Sequence, residues 1–99
     1  MGQRDSTLAA GNIRLDPIAR TVTQDGQPLD LSRMEYRLLH LFLRRPGQVL
    51  PQADILEHLY DLAAQADRNA VEVLVSRLRR KIGSGRIVTL RGLGYRLEA

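Results

Sequence analysis

Ninety-nine residues, 43% apolar and 26% charged, describe one globular domain with room for one modest core. The chain has no cysteine, which excludes disulfide scaffolds, zinc ribbons and thiol nucleophiles and fits a reducing cytoplasm as its location; no apolar run approaches the roughly 20 residues that cross a bilayer, so no membrane contact is expected. Net charge is +4, but residues 1–67 carry seven Arg against nine Asp/Glu (net −2), whereas 68–96 carry seven Arg and one Lys against Glu72 alone (net +7).

Residues 1–7 read as a linker remnant or tag, and 8–99 as the domain. Between 7 and 31 the pattern is that of short strands. Ile13 and Leu15 alternate with polar neighbours, Asp16-Pro17 breaks the run, Thr21-Val22-Thr23 is β-branched, and Asp25-Gly26 is a hairpin signal before alternation resumes over 27–31. A small antiparallel sheet follows, with Pro28 on an edge or at a strand start. Ser32 then opens a first helix as N-cap, Glu35 completes an S-x-x-E capping box, and Leu31 and Tyr36 are placed for a hydrophobic staple. Met34, Leu38, Leu41 and Phe42 share one face of it, widened by Leu39 and Leu43, until Pro46-Gly47 stops it. A second helix runs from about Pro51 through Ile55, Leu56, Leu59 and Tyr60, with its end left open because 61–68 contains neither Gly nor Pro.

The third helix, Arg68 to Ile82 with Gly83 beyond it, carries the basic charge. At about 100° per residue Val71, Val75, Leu78 and Ile82 form a core stripe. The opposite side carries Asn69, Val73, Ser76, Arg77 and Arg80, flanked by Ala70, Leu74 and Lys81. Arg79 projects sideways, nearer the core stripe, and is expected to be half structural, paired with a carboxylate. Two β-runs, RIVTL and YRLE, with glycines at 92 and 94 between them, form a closing hairpin. A helix with long donors and small residues in front can enter a major groove, and Arg91 at the hairpin tip is suited to a narrow A·T-rich minor groove. Gly92 and Gly94 would let that tip turn tightly and approach the backbone. A solvated basic face is the plainer alternative.

Four motifs in order, S-x-x-E-Y-R-L-L at 32–39, RRPGQVL at 44–50, NAVEVLVSRLRRKIG at 69–83 and IVTLRGLGYRL at 87–97, resemble the effector domain of the OmpR/PhoB response regulators across residues 8 to 98. The resemblance implies an α+β winged helix-turn-helix: a four-stranded antiparallel N-terminal sheet, three helices and a C-terminal β-hairpin wing. Carried over by position, it assigns base reading to Asn69, Val73, Leu74 and Arg77, with Arg91 in the minor groove. It assigns phosphate contacts to Arg68, Ser76, Arg80, Lys81 and Thr89, while Tyr95 either reaches a phosphate or anchors the wing. The implied partners are double-stranded promoter DNA, a second copy on a direct-repeat site, RNA polymerase through the 61–68 loop, and a receiver domain with its sensor histidine kinase in a longer protein. Two departures stand out. Leu74 occupies a position where relatives often have His, and Tyr60-Asp61 replaces a common Trp-Gly, which leaves the shape of the following loop open.

No cofactor or metal is expected. His40 and His58 lie far apart without a Cys companion and read as partly exposed helix residues. Asp54 and Glu57 are i, i+3 neighbours, but no phosphate loop, nucleophile elbow or His cluster accompanies them, so the chain reads as a binding module and not an enzyme. Two other classes compete with duplex binding. One is a protein-interaction module whose basic helix docks on an acidic partner. The other is a single-strand binder, disfavoured because Tyr36, Phe42, Tyr60 and Tyr95 are the only aromatics and are scattered.

Overall fold

In the computed structural model, which describes residues 7–60 and 68–98 apart from the Arg68 side chain, the chain opens with four strands: β1 (Leu8–Ala10), β2 (Ile13–Asp16), β3 (Thr21–Gln24) and β4 (Gln27–Pro28). They form an antiparallel sheet in sequence order. The expected linker falls almost wholly outside the described residues. Ile13 and Leu15 are fully buried, and Leu15 faces Val22 across the β2–β3 register, so the alternation seen in the sequence is a core-facing one. Asp16 closes the β2–β3 turn by accepting the amides of Ile18 and Ala19 on Oδ1 at 3.0 and 3.2 Å. Asp25 and Gly26 both take positive φ, 54° and 76°, the tight hairpin their sequence signals. The strand expected over 27–31 is shorter. Only Gln27–Pro28 pairs, at the sheet edge where proline is tolerated, and Leu31 is half-buried rather than central.

Helix α1 (Arg33–Arg44) begins with the capping box as expected: the Glu35 amide donates to Ser32 Oγ at 3.2 Å and the Ser32 amide to Glu35 Oε1 at 2.8 Å. Leu38, Leu39, Leu41, Phe42 and Leu43 bury one side of it and form the centre of the core. Helix α2 (Gln52–Leu59) is preceded by Pro51 as N-cap and contributes Ile55 and Leu59. Helix α3 (Arg68–Ile82) buries Val71, Val75, Leu78 and Ile82. Its C-terminus is held by Gln24, whose Nε2 donates to the Ile82 carbonyl at 2.8 Å, and Gly83 leaves it at φ 112°. Strands β5 (Ile87–Leu90) and β6 (Gly94–Leu97) make the terminal hairpin.

Among the described residues one charged side chain lies in the interior. Glu35 is 4% exposed, and Lys81 of α3 reaches it, with Nζ 2.9 Å from Oε1 and 2.6 Å from the Asp30 carbonyl it donates to. Lys81 was expected on phosphate; its ammonium instead ties α3 to the start of α1, because the last turn of α3 passes over that capping box. Burial pushes the Glu35 carboxyl up, but the Ser32 amide and the Lys81 ammonium outweigh it, so the group sits below its ordinary value.

A carboxylate favoured in the fold contributes fully above its unfolded pKa and loses that contribution as pH falls through the lowered folded value. Glu35→Gln is therefore expected to cost about 1–3 kcal/mol in urea unfolding at neutral pH and to flatten the acid side of the stability profile. An unchanged acid slope would show that Glu35 contributes nothing to it.

Candidate nucleic-acid interface

The outward side of α3 presents Asn69, Ser76, Arg77 and Arg80 as exposed side chains, with Val73 40% exposed among them. A solvent-facing valine between long donors is apolar surface that the core leaves unused, and the core stripe behind it fixes which way the row points. Leu74 departs from the expected arrangement. It is 5% exposed and belongs to the core cluster, since α2 as well as α1 packs on α3 and widens the buried stripe to include it. The expectation that Leu74 reads a base is corrected accordingly: its side chain is spent on the core, and little of its apolar surface is left to meet a base.

The wing is fixed to α3 by Arg79. Its Nε and Nη2 donate to the Ile87 carbonyl at 3.0 and 2.9 Å, Nη2 also reaches Thr89 Oγ1 at 2.6 Å, and the guanidinium lies 5.9 Å from the Tyr95 ring centroid. No carboxylate is involved; a main-chain acceptor and a hydroxyl take the place of the expected acid. Thr89 stays exposed, but its hydroxyl already accepts from Arg79. Tyr95 is 6% exposed and its hydroxyl accepts from Gln52 Nε2 at 3.1 Å, which fits the anchoring role of the two left open for it. The sequence signal for this clamp was slight: only the sideways position of Arg79 on the helix.

A second attachment is made by the main chain. The Leu50 amide donates to the Tyr95 carbonyl at 2.7 Å and the Tyr95 amide to the Leu50 carbonyl at 3.0 Å, so the segment between α1 and α2 adds one bridge to β6. Gly94 makes that approach possible. Its φ is 143°, and a Cβ there would stand 2.1 Å from the Leu50 oxygen. The close approach expected of Gly94 is thus one to the protein's own backbone. Beyond this stitch the tip projects, with Arg91 exposed, Gly92 at φ 78°, and the turn closed by the Leu93 amide on the Leu90 carbonyl at 2.8 Å. Between the wing and α2 runs an open groove of about 540 Å³ bordered by Gln52, Glu72, Arg91 and Leu93.

Arg68 opens α3, but its side chain lies outside the described residues, as do residues 61–67 of the 61–68 loop expected to meet RNA polymerase. Of the four side chains weighed for chemistry, His58 and Asp54 are engaged structurally. His58 Nδ1 lies 2.8 Å from the Asp54 carbonyl and Nε2 3.2 Å from Arg45 Nη2, while Asp54 pairs with Arg45 at 3.7 Å. Among the described residues no group of three or more His, Cys, Asp or Glu side chains is placed to hold a metal ion.

Residues 26–97 match the family model described as "Transcriptional regulatory protein, C terminal". The chain is 47% identical over 96 residues to the transcriptional regulatory protein QseB of Escherichia coli O157:H7, covering 97% of this chain and 44% of that one. It is 42% identical over 91 residues to the response regulator protein PmrA of Pseudomonas aeruginosa, covering 92% and 41%. The chain therefore spans less than half the length of these curated relatives. Among solved structures, the RstA DNA-binding domain of Klebsiella pneumoniae in complex with the RstA box superposes with a TM-score of 0.83 at 29% identity, over 94% of this chain and 97% of that one.

Gly94→Ala is expected to destabilise the domain by about 2–4 kcal/mol, through positive φ and the clash with Leu50 together. Thermal unfolding measures the loss, and a wild-type midpoint would show that the β6–Leu50 approach has slack.

Proposed function

Since this chain belongs to the family of transcriptional regulatory protein C-terminal domains, as a response-regulator DNA-binding domain of the OmpR/PhoB type, we propose that α3 reads the major groove of duplex DNA while Arg91 enters the adjacent minor groove. The observation that carries this reading is the exposed row Asn69, Val73, Ser76, Arg77 and Arg80, with an arginine-tipped hairpin clamped beside it. A B-form major groove is about 12 Å wide and admits one helix. Asn69 and Arg77 supply paired donors and acceptors for adenine and guanine edges, and Val73 meets a thymine methyl. Arg68, Ser76, Arg80 and Thr89 hold phosphates and set the register without reading sequence. The similar Klebsiella domain, solved on the RstA box, supports duplex DNA as the ligand class.

The matched relatives are more than twice as long, which supports a longer protein in which a receiver domain, phosphorylated by a sensor histidine kinase, precedes this one. Two copies then bind a direct-repeat promoter site in the bacterial cytoplasm and gain affinity from being held together. The 61–68 segment remains the proposed contact to RNA polymerase. Among the described residues no helix is long and apolar enough to cross a membrane. No catalytic step is part of the proposal, since the family is one of binding domains.

Two substitutions separate reading from positioning. Arg91→Ala should cost about 1–3 kcal/mol of binding and relax preference at an A·T-rich position. Arg79→Met should weaken binding to every sequence alike, because it loosens the wing without touching a base. Fluorescence anisotropy with a selection for bound sequences checks both, and equal losses on all sequences for Arg91→Ala would remove it as a reader. Binding should also fall steeply with salt as counterions are released. Duplex DNA that leaves the 69–82 amides unmoved in NMR spectra would overturn the proposal as a whole.

A further inference from the structure

Helix α1 carries a second basic surface that DNA reading by α3 leaves unused. Arg33, Arg37, His40 and Arg44 follow one another at i, i+4, i+7 and i+11, within a stripe about 60° wide and about 16 Å long. The three arginines are exposed and His40 is half-buried among them. Arg20, in the turn after β2, adds its charge to the same patch. Burial first, then the charges of Arg44 and Arg20, hold the His40 imidazole below its ordinary pKa. Like charges at i, i+4 weaken a helix, and nothing in the fold offsets them. Among the described residues the side chains of Arg20, Arg33 and Arg44 make no hydrogen bond or ion pair, the Arg37 side chain donates only to the His58 carbonyl at 3.0 Å, and every ion pair lies elsewhere.

Direction and composition identify the partner. Glu35, which meets Lys81 of α3, lies on the opposite side of α1 from the stripe, so the stripe faces away from α3. The exposed row of α3 in turn faces away from its own buried stripe, so one straight duplex cannot lie on both. The α1 stripe also lacks the small residues that let a helix sink into a groove, whereas α3 has Asn69, Ala70 and Ser76. It has instead a tyrosine at its flank, Tyr36, with its ring centroid 5.9 Å from that of His40. Arginine and tyrosine together are the side chains that dominate protein–protein contacts, and guanidinium forks pair with carboxylates two bonds at a time.

We infer that the Arg33–Arg37–Arg44 stripe of α1, flanked by Arg20 and Tyr36, is a docking surface for an acidic protein helix, open while α3 and the wing are on DNA. A carboxylate row at i, i+4 spacing on such a helix matches the rise of the arginine row.

The test is an NMR titration of the full chain, free and bound to a duplex, with a synthetic helical peptide that carries glutamates along one face. On the DNA-bound chain the shifts should fall on α1 and the turn around Arg20. Arg33→Gln/Arg44→Gln should weaken peptide binding by about tenfold or more while duplex affinity stays within about twofold. Neither arginine side chain makes a hydrogen bond or ion pair with another described residue, so the thermal midpoint should hold and serves as the folding control. The inference fails if the double variant keeps its peptide affinity, if the peptide does not bind, or if it shifts only α3 and the wing. It also fails if a second duplex or phosphatidylglycerol vesicles displace the peptide from α1. A free chain that binds the peptide on α1 but no duplex would leave this surface standing and remove the DNA reading instead.

Discussion

A domain proposed to touch two grooves at once needs its helix and its hairpin held at a set distance and angle, and here that geometry rests on one guanidinium. Arg79 leaves α3 sideways and ends on the Ile87 carbonyl and the Thr89 hydroxyl of β5, with the Tyr95 ring of β6 beside it. Hydrogen bonds from a charged donor contribute about 1.5–3 kcal/mol, roughly twice a neutral one, and the planar fork fixes angle as well as distance. The Leu50–Tyr95 bridge then joins the same hairpin to the segment ahead of α2. Helix, hairpin and inter-helix segment are locked as one body before any ligand arrives.

The basic charge of the C-terminal third divides between inside and outside. Arg86 donates to Asn12 Oδ1 at 2.6 Å and to the Ala10 carbonyl at 3.0 Å, fastening the wing to the first sheet; Arg96 pairs with Glu98 at 2.6 Å; Lys81 pairs with Glu35. With Arg79 these cations serve the fold. Arg77, Arg80 and Arg91 are exposed, with no ion pair among the described residues. Net charge by segment thus overstates the surface offered to a polyanion, although it does locate it.

Much of the architecture was legible because its causes are local. The Ser32–Glu35 capping box, the Asp25-Gly26 turn and the Val71–Val75–Leu78–Ile82 stripe each depend on residues a few positions apart, and each formed as read. The site was legible only as a direction. Periodicity told which side of α3 faces out, but not how wide the buried stripe is, and Leu74 fell inside it because α2 packs there. Lys81 was assigned to a phosphate and Tyr95 to a phosphate or to the wing, yet both have partners within the protein, Glu35 and the Asp30 carbonyl for Lys81 and Gln52 for Tyr95, and Gly94 lies against Leu50. Those contacts join distant parts of the chain, and no spacing within one element announces them.

The wing divides into a fastened base and an unfastened tip. Residues 94–98 are constrained by neighbours, whereas Arg91, Gly92 and Leu93 are exposed and closed only by their own turn. Substitutions in the base are filtered by folding; those in the tip escape that filter. If the tip reads sequence as proposed, gene duplicates built on this scaffold can diverge in operator preference through it while inheriting an unaltered core.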